Sequence, residues 1–270
     1  LEARYMCTCT VVARSASPSH TRRIRMNMRI VGTRRLLSSV RSGSPLPQLP
    51  TTSFYSFLRA HGEFAKHADL PAITCASSGR TLTYGELDHR VGSASRALAR
   101  TGFAKGSVLS VHLPNCEQLV VAFFAATELG GVVTASNPAY TAAELAAQQS
   151  GARASAVISS SSLRDVVIAA AAESGVGVSN VSFIEDDACF ATALDEEGAA
   201  GAPTIDSATD PCAMPFSSGT TGQPKGVVLS HRNLIANVLQ SIIDPDHRHD
   251  VDEATASSAS CRSSISMACA

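Results

Sequence analysis

The chain has 270 residues, of which 44 % are hydrophobic, and its formal net charge is −1. This length allows one or two domains, and the near-zero charge argues against nucleic acid as a partner. The longest apolar run, 119–135, is interrupted by Glu128, so the sequence predicts no transmembrane segment. The eight cysteines have no paired metal-ligand spacing, which favours a reduced intracellular chain without a metal site.

The first 50 residues differ in composition from the rest of the chain. No acidic residue occurs between Glu2 and Glu63, whereas seven arginines cluster within 22–41 among serines and threonines. This composition is typical of a mitochondrial or plastid transit peptide. Leu1 is not a normal initiator, so two alternatives are that the stretch before Met26 or Met28 is a translated 5′ untranslated region, or that the gene model is incomplete. The predicted location is therefore an organelle if the leader is genuine, and the cytoplasm or peroxisome otherwise.

Strand and helix patterns alternate over 71–180, which predicts an α/β fold with crossover helices on a mixed or parallel sheet. Thr83 and Glu86 have the spacing of a capping box, and apolar residues follow at helical spacing. We expect a buried strand in 108–115. An apolar helix is predicted over 117–129, ended by two glycines.

Further along, an Asn-Pro pair at 137–138 predicts a turn, and Thr141 with Glu144 forms a second capping box. A strand is predicted over 178–184. The segment 185–210 is acidic, rich in alanine and glycine, and aperiodic, which indicates a surface loop.

The most informative segment is 216–227, which reads Phe-Ser-Ser-Gly-Thr-Thr-Gly-Gln-Pro-Lys-Gly-Val. Apolar runs precede and follow it, so we expect a strand, a loop and a second strand, with Ser230 capping a helix beyond them. Glycines let the backbone approach a ligand closely, and hydroxyls supply neutral donors. Lys225 supplies a mobile positive charge. The sequence therefore predicts a loop that binds polyphosphate.

This loop is not a Walker loop. Pro224 and Gly226 flank the lysine where the Walker pattern has Gly and Ser/Thr. Pro224 also removes a backbone donor and disfavours helix at Gln223. The spacing excludes a P-loop NTPase, and a flexible Ser/Gly linker is the alternative interpretation of the segment.

The segment resembles the signature of the adenylate-forming superfamily, Ser-Ser-Gly-Thr-Thr-Gly-x-Pro-Lys-Gly, without a mismatch over 217–226. That superfamily includes acyl-CoA synthetases, luciferase and peptide-synthetase adenylation domains. The segments 81–88 and 137–145 are also similar to it, and 137–145 resembles 4-coumarate–CoA ligase and its acyl-CoA ligase relatives most. The resemblance implies an incomplete N-terminal domain of an adenylate-forming enzyme.

The same resemblance implies a two-step reaction. A small-molecule carboxylic acid reacts with Mg-ATP to give an acyl-adenylate, and coenzyme A then displaces AMP. ATP, Mg²⁺ and coenzyme A are thus the implied cofactors and co-substrates. No catalytic residue or metal ligand is assigned, and the acyl substrate and oligomeric state are left open. The residues implied in ATP phosphate binding are Ser217, Ser218, Gly219, Thr220, Thr221 and Lys225, with Gly222 needed for loop geometry.

Histidines elsewhere suggest alternative chemistry. For His231 a supporting role in the first turn of a helix is favoured over catalysis, because no titratable partner can be named for it. The run 244–250 contains three aspartates and two histidines, but no ligand set with defined spacing completes a metal site, so we favour a solvated loop. His89 and His112 are interpreted as helix and strand residues without assigned chemistry.

The resemblance also predicts what these 270 residues do not contain. The family's adenine, ribose and hinge motifs and its C-terminal catalytic lysine are absent from the sequence, so we expect this chain to be inactive. A non-catalytic half-domain that acts by binding, or that has no function, is the alternative.

The last residues have neither helical nor strand periodicity. With one choice of codons for 260–269, a shifted reading frame encodes Val-Pro-Leu-Phe-His-Leu-Tyr-Gly-Leu, which resembles the family segment after the phosphate loop. We therefore expect a leader at 1–50, a partial AMP-binding N-terminal domain at 51–249, and an out-of-frame tail at 250–270.

Overall fold

The structure is a computed structural model that describes residues 49–75, 78–185, 203–217 and 224–243. The predicted leader, apart from its last two residues, and the predicted tail lie outside these ranges, so the division into three parts stays a prediction. The described helices are α1 (Phe54–His61), α2 (Tyr84–Arg100), α3 (Glu117–Glu128), α4 (Ala142–Ala152), α5 (Arg164–Ser174) and α6 (His231–Ile243). The strands are β1 (Pro71–Thr74), β2 (Thr81–Thr83), β3 (Val108–His112), β4 (Val132–Ala135), β5 (Ala156–Ser159), β6 (Val181–Phe183), β7 (Pro211–Ala213), β8 (Phe216–Ser217), β9 (Lys225–Gly226) and β10 (Leu229–Ser230).

Six strands form the main sheet, in the order β10-β7-β4-β3-β5-β6. Neighbouring strands are parallel, except that β10 runs antiparallel to β7. All five residues of β3 are buried, as expected for a central strand covered on both faces. The predicted α/β fold with crossover helices on a mixed sheet is confirmed.

Helices cover both faces of this sheet. One apolar cluster joins the sheet to α1, α2, α3 and α6, and a second joins it to α4 and α5. The result is a three-layer arrangement around a sheet that is buried from both sides. Among the described residues, no helix combines the length and the apolar character needed to cross a membrane.

Both predicted capping boxes are present. At the start of α2 the Glu86 N–H donates to Thr83 Oγ1 at 3.2 Å, and the Thr83 N–H donates to Glu86 Oε2 at 2.9 Å. At the start of α4 the Thr141 N–H donates to Glu144 Oε2 at 2.8 Å, and the Glu144 N–H donates to Thr141 Oγ1 at 3.3 Å. These reciprocal bonds pair backbone donors that a helix cannot pair internally, so both helices begin where the sequence predicts.

The segment 178–184 differs from its prediction. Residues 178–180 form a 3₁₀ turn instead of strand, and β6 covers only Val181–Phe183. The Asn180 N–H closes this turn by donating to the Gly177 carbonyl at 2.8 Å, and the Asn180 Nδ2 donates to the Ser155 carbonyl, just before β5, at 3.0 Å.

The predicted surface loop at 185–210 is only partly described. Residues 203–210 contain no helix or strand, yet Ile205 and Ser207 are buried. The Ser207 hydroxyl donates to the Pro50 carbonyl at 2.9 Å. This part of the segment therefore packs into the fold, which its aperiodic sequence does not indicate.

Candidate functional site

The predicted strand–loop–strand is present where the structure describes it. The chain leaves β7 beside β4, with the Met214 N–H donating to the Val133 carbonyl at 2.8 Å. Strands β8 and β9 then pair antiparallel, with Phe216 opposite Gly226 and Ser217 opposite Lys225. We call residues 216–226 the loop hairpin.

Two of the seven predicted phosphate-binding residues lie in the described strands of this hairpin. Ser217 and Lys225 face each other across the ladder, and both are exposed. An exposed cation therefore lies beside an exposed hydroxyl. The other five residues lie outside the described ranges, so their role stays a prediction: Ser218, Gly219, Thr220, Thr221 and Gly222.

The chain before and after the hairpin is joined at the start of β7. Strand β10 pairs with β7, with Leu229 opposite Ala213 and Ser230 opposite Pro211. The next backbone group, the His231 N–H, donates to the Asp210 carbonyl at 3.3 Å. Both ends of the segment that carries the loop are thus fixed to each other by backbone hydrogen bonds.

Asp210 is itself held by a lysine from a distant part of the chain. Lys105 Nζ lies 2.6 Å from Asp210 Oδ2 and also donates to the Thr204 carbonyl at 2.9 Å. The hydrogen bond from Lys105 holds the pKa of the Asp210 carboxyl below its usual value. Gly130 leaves room for this lysine, because a Cβ there would lie 3.0 Å from Lys105 Cγ. No local pattern in the sequence indicates this pair.

His231 connects the same region to α1. Its side chain is fully buried, and its Nδ1 accepts a hydrogen bond from the Phe54 N–H at 2.9 Å. Burial lowers the pKa of the imidazole to about 4, so the ring is neutral at physiological pH and its proton resides on Nε2. We call Lys105, Asp210, His231 and Phe54 the flank junction.

This environment supports a structural role for His231, but the reason given for that role was wrong. Titratable partners do exist, since the Asp210 carboxylate raises the pKa of the imidazole and the Lys105 ammonium lowers it. The Nδ1 atom is engaged by the Phe54 N–H and is therefore not free to accept a substrate proton.

Two further histidines named from the sequence, His112 and His89, lie in the described elements. His112 ends β3, is fully buried, and has Nδ1 at 2.8 Å from the Ser136 hydroxyl, which in turn donates to the Val111 carbonyl. Burial lowers the pKa of His112 to about 4. His89 lies within α2. The predicted solvated loop at 244–250 lies outside the described residues.

A family model described as "AMP-binding enzyme" matches residues 61–268. This chain belongs to that family. Rice (Oryza sativa subsp. japonica) 4-coumarate–CoA ligase 3 is 35 % identical over 187 residues, which cover 66 % of this chain and 33 % of the rice protein. Rice 4-coumarate–CoA ligase 2 is also 35 % identical, over 72 % of this chain and 38 % of its own length. The AMP-binding family chain thus spans about a third of the length of the curated relatives it matches.

Solved structures agree with this assignment. VinN matches with a TM-score of 0.61 at 23 % identity, over 72 % of this chain and 46 % of its own, which shows the fold. ATP-bound MatB from Rhodopseudomonas palustris matches with a TM-score of 0.56 at 27 % identity, over 71 % of this chain and 37 % of its own. The resemblance to the adenylate-forming superfamily and the fold it implied are confirmed.

Proposed function

We propose that this chain supplies the ATP-phosphate-binding part of an ATP-dependent carboxylate–CoA ligase of the 4-coumarate–CoA ligase kind. One observation carries the proposal. In the loop hairpin the exposed Lys225 lies opposite the exposed Ser217 at the point where the loop begins. A cation beside a neutral donor suits the oxygens of a polyphosphate. The names of the rice relatives support the choice of reaction.

The proposed reaction has two steps. A substrate carboxylate attacks the α-phosphorus of ATP, and the bond to the leaving pyrophosphate breaks, which gives an acyl-adenylate. The thiol of coenzyme A then attacks the acyl carbon and releases AMP. The first step brings an anion towards a polyanion, so positive charge near the outer phosphates lowers its barrier. We assign this charge to Lys225.

Magnesium commonly accompanies ATP in such reactions because it neutralises phosphate oxygens. Within 49–75, 78–185, 203–217 and 224–243, no group of three or more His, Cys, Asp or Glu could hold a metal ion. Because Mg²⁺ in ATP sites is commonly held by one or two carboxylates together with the phosphates and water, we assign no protein ligand to it, and no step proposed here is routed through the metal.

We also propose that a polypeptide of these 270 residues, with nothing added, binds polyphosphate but completes neither half-reaction. Support comes from the relatives, because the match covers only 33 % and 38 % of the two rice proteins. The test is ATP–pyrophosphate exchange with a panel of aromatic and aliphatic carboxylic acids. We expect no exchange, and exchange above the protein-free rate contradicts this second proposal.

Calorimetric titration with pyrophosphate and with ATP tests phosphate binding directly. Lys225→Ala is expected to weaken pyrophosphate binding about tenfold to a hundredfold, because a hydrogen bond to a charged group contributes about 1.5–3 kcal/mol. Lys66→Ala is the matched control, since Lys66 is also exposed and its ammonium pairs with Glu63, far from the hairpin in sequence. Equal losses in the two variants would indicate general charge attraction and would exclude a specific role for Lys225.

A further inference from the structure

The loop hairpin contacts the rest of the fold through an aromatic ring. Phe216 immediately precedes Ser217, and its side chain packs on a small apolar cluster that includes Val108, Val132 and Ala152. Those residues come from β3, β4 and the end of α4. The ring therefore connects the hairpin to the sheet and to one helix.

Two glycines leave the space that this ring occupies. A Cβ at Gly151, in α4, would lie 3.3 Å from Phe216 Cε1 and 3.4 Å from Cζ. A Cβ at Gly226, in β9, would lie 3.2 Å from Phe216 Cε2. Distances of 3.0–3.4 Å are tighter than nine in ten real contacts of a Cβ, so a methyl group at Gly151 requires the ring to move by a few tenths of an ångström. At Gly226 a methyl group would meet Met214 Cγ and Sδ, both at 3.1 Å, as well as the ring.

The backbone of Gly151 does not require glycine. It lies inside α4, and it is not among the described glycines with positive φ. Glycine in a helix is less favourable than alanine, because it loses more conformational freedom on folding. The contact with Phe216 is thus the reason that the structure offers for a glycine at this position.

We propose that Gly151 and Phe216 are positioning residues for the candidate phosphate site. The fit of the Phe216 ring against α4 sets the direction in which the hairpin presents Ser217 and Lys225. Neither residue contacts phosphate in this account, so each acts through the backbone of β8 and β9. The inference rests on the proposed function, which supplies the ligand.

Gly151→Ala tests the proposal, with Gly92→Ala as its matched control. Both glycines lie in helices, and the substitution improves helix propensity at both. A Cβ at Gly92 meets only Arg96 Nη1, at an ordinary 3.5 Å. We expect Gly92→Ala to leave the pyrophosphate dissociation constant within twofold of the parent chain. Gly151→Ala is expected to raise it at least fivefold without lowering the thermal unfolding midpoint, which separates positioning from loss of stability.

A double-mutant cycle isolates the ring. In a Phe216→Leu background the atoms that crowd position 151 are gone, so Gly151→Ala is expected to change the dissociation constant less than twofold there. An effect of equal size in both backgrounds overturns the role of the ring. A Gly151→Ala affinity within twofold of that of Gly92→Ala overturns the proposal as a whole.

Hydrogen–deuterium exchange of peptides covering 214–230 separates this inference from the proposed function. The Val227 N–H donates to the Pro215 carbonyl at 2.8 Å and reports on the hairpin. Faster exchange in Gly151→Ala than in Gly92→Ala supports positioning of the hairpin by α4, whereas identical exchange contradicts it. If the parent chain binds neither pyrophosphate nor ATP, the proposed function and the phosphate role are disproved. A difference in exchange between Gly151→Ala and Gly92→Ala would still establish the contact between the hairpin and α4.

Discussion

The flank junction and the loop hairpin lie close in sequence but differ in how they are held. In the junction, His231 is fully buried, and each contact is a hydrogen bond or an ion pair between distant segments. In the hairpin, Ser217 and Lys225 are exposed, and the two strands are held by two ladder pairs and by the packing of Phe216. The difference teaches that the buried contacts lie beside the residues proposed to bind phosphate, and that Ser217 and Lys225 themselves stay accessible.

Lowering the pH should have the largest effect on stability, because it acts on buried histidines such as His231 of the flank junction. The pKa values of His231 and His112 are about 4 in the folded chain, against 6.5 for an ordinary histidine. The unfolded chain therefore binds protons that the folded chain does not as pH falls from 6.5 to 4. We expect each histidine to contribute up to about 3 kcal/mol to the free energy of unfolding. This contribution is complete above pH 6.5 and is lost as the pH falls to 4.

Urea unfolding at half-unit pH steps measures this dependence. Asp210 and Lys105 are the charged groups that act on His231, and the lowered pKa of the Asp210 carboxyl places its own titration at the acid end of the window or below. His231→Leu and His112→Leu should each flatten the slope. A wild-type stability that stays constant between pH 6.5 and 4 would show that neither imidazole is kept neutral by burial.

Removing His231 Nδ1, which accepts the hydrogen bond from the Phe54 N–H, should have the next largest effect on the free energy of unfolding. His231→Leu keeps a side chain of similar bulk but leaves the Phe54 N–H at the start of α1 without its partner. An unpaired buried donor costs about 1–3 kcal/mol, and we expect that loss in urea unfolding at pH 7.5. His89→Leu, on α2, is the control and should change stability by less than about 0.5 kcal/mol. Equal losses of stability in His231→Leu and His89→Leu would show that the hydrogen bond from the Phe54 N–H to His231 does not stabilise the fold.

Of these interactions, the Lys105–Asp210 ion pair should contribute least to the free energy of unfolding. The lysine side chain is 42 % exposed and the aspartate 17 %, so solvent screens much of their attraction. Asp210→Asn is expected to lower the free energy of unfolding by about 1 kcal/mol or less, and the loss should shrink in 1 M salt. Glu63→Gln, in the more exposed pair with Lys66, should show no measurable change. A loss that is independent of salt would point to the hydrogen bonds of Asp210 rather than to its charge.

Several elements of the fold were predictable because their causes are local. Thr83 with Glu86 and Thr141 with Glu144 are three residues apart, and each pair starts a helix by bonding across one turn. The chain at 178–184 shows the limit of such patterns. Its first three residues form a 3₁₀ turn, and Asn180 in that turn bonds a carbonyl near β5, a contact that no local pattern indicates.

The sequence by itself determined the family and the α/β class, since these depend on residue types in continuous segments. Tertiary structure alone decided how that loop is supported. His231 meets the Phe54 N–H across 177 positions, and the Phe216 ring fits beside Gly151 on another helix. Such contacts depend on the order of the strands and on how closely helices pack on them, and a periodic pattern marks which face is buried but not which distant residue it contacts.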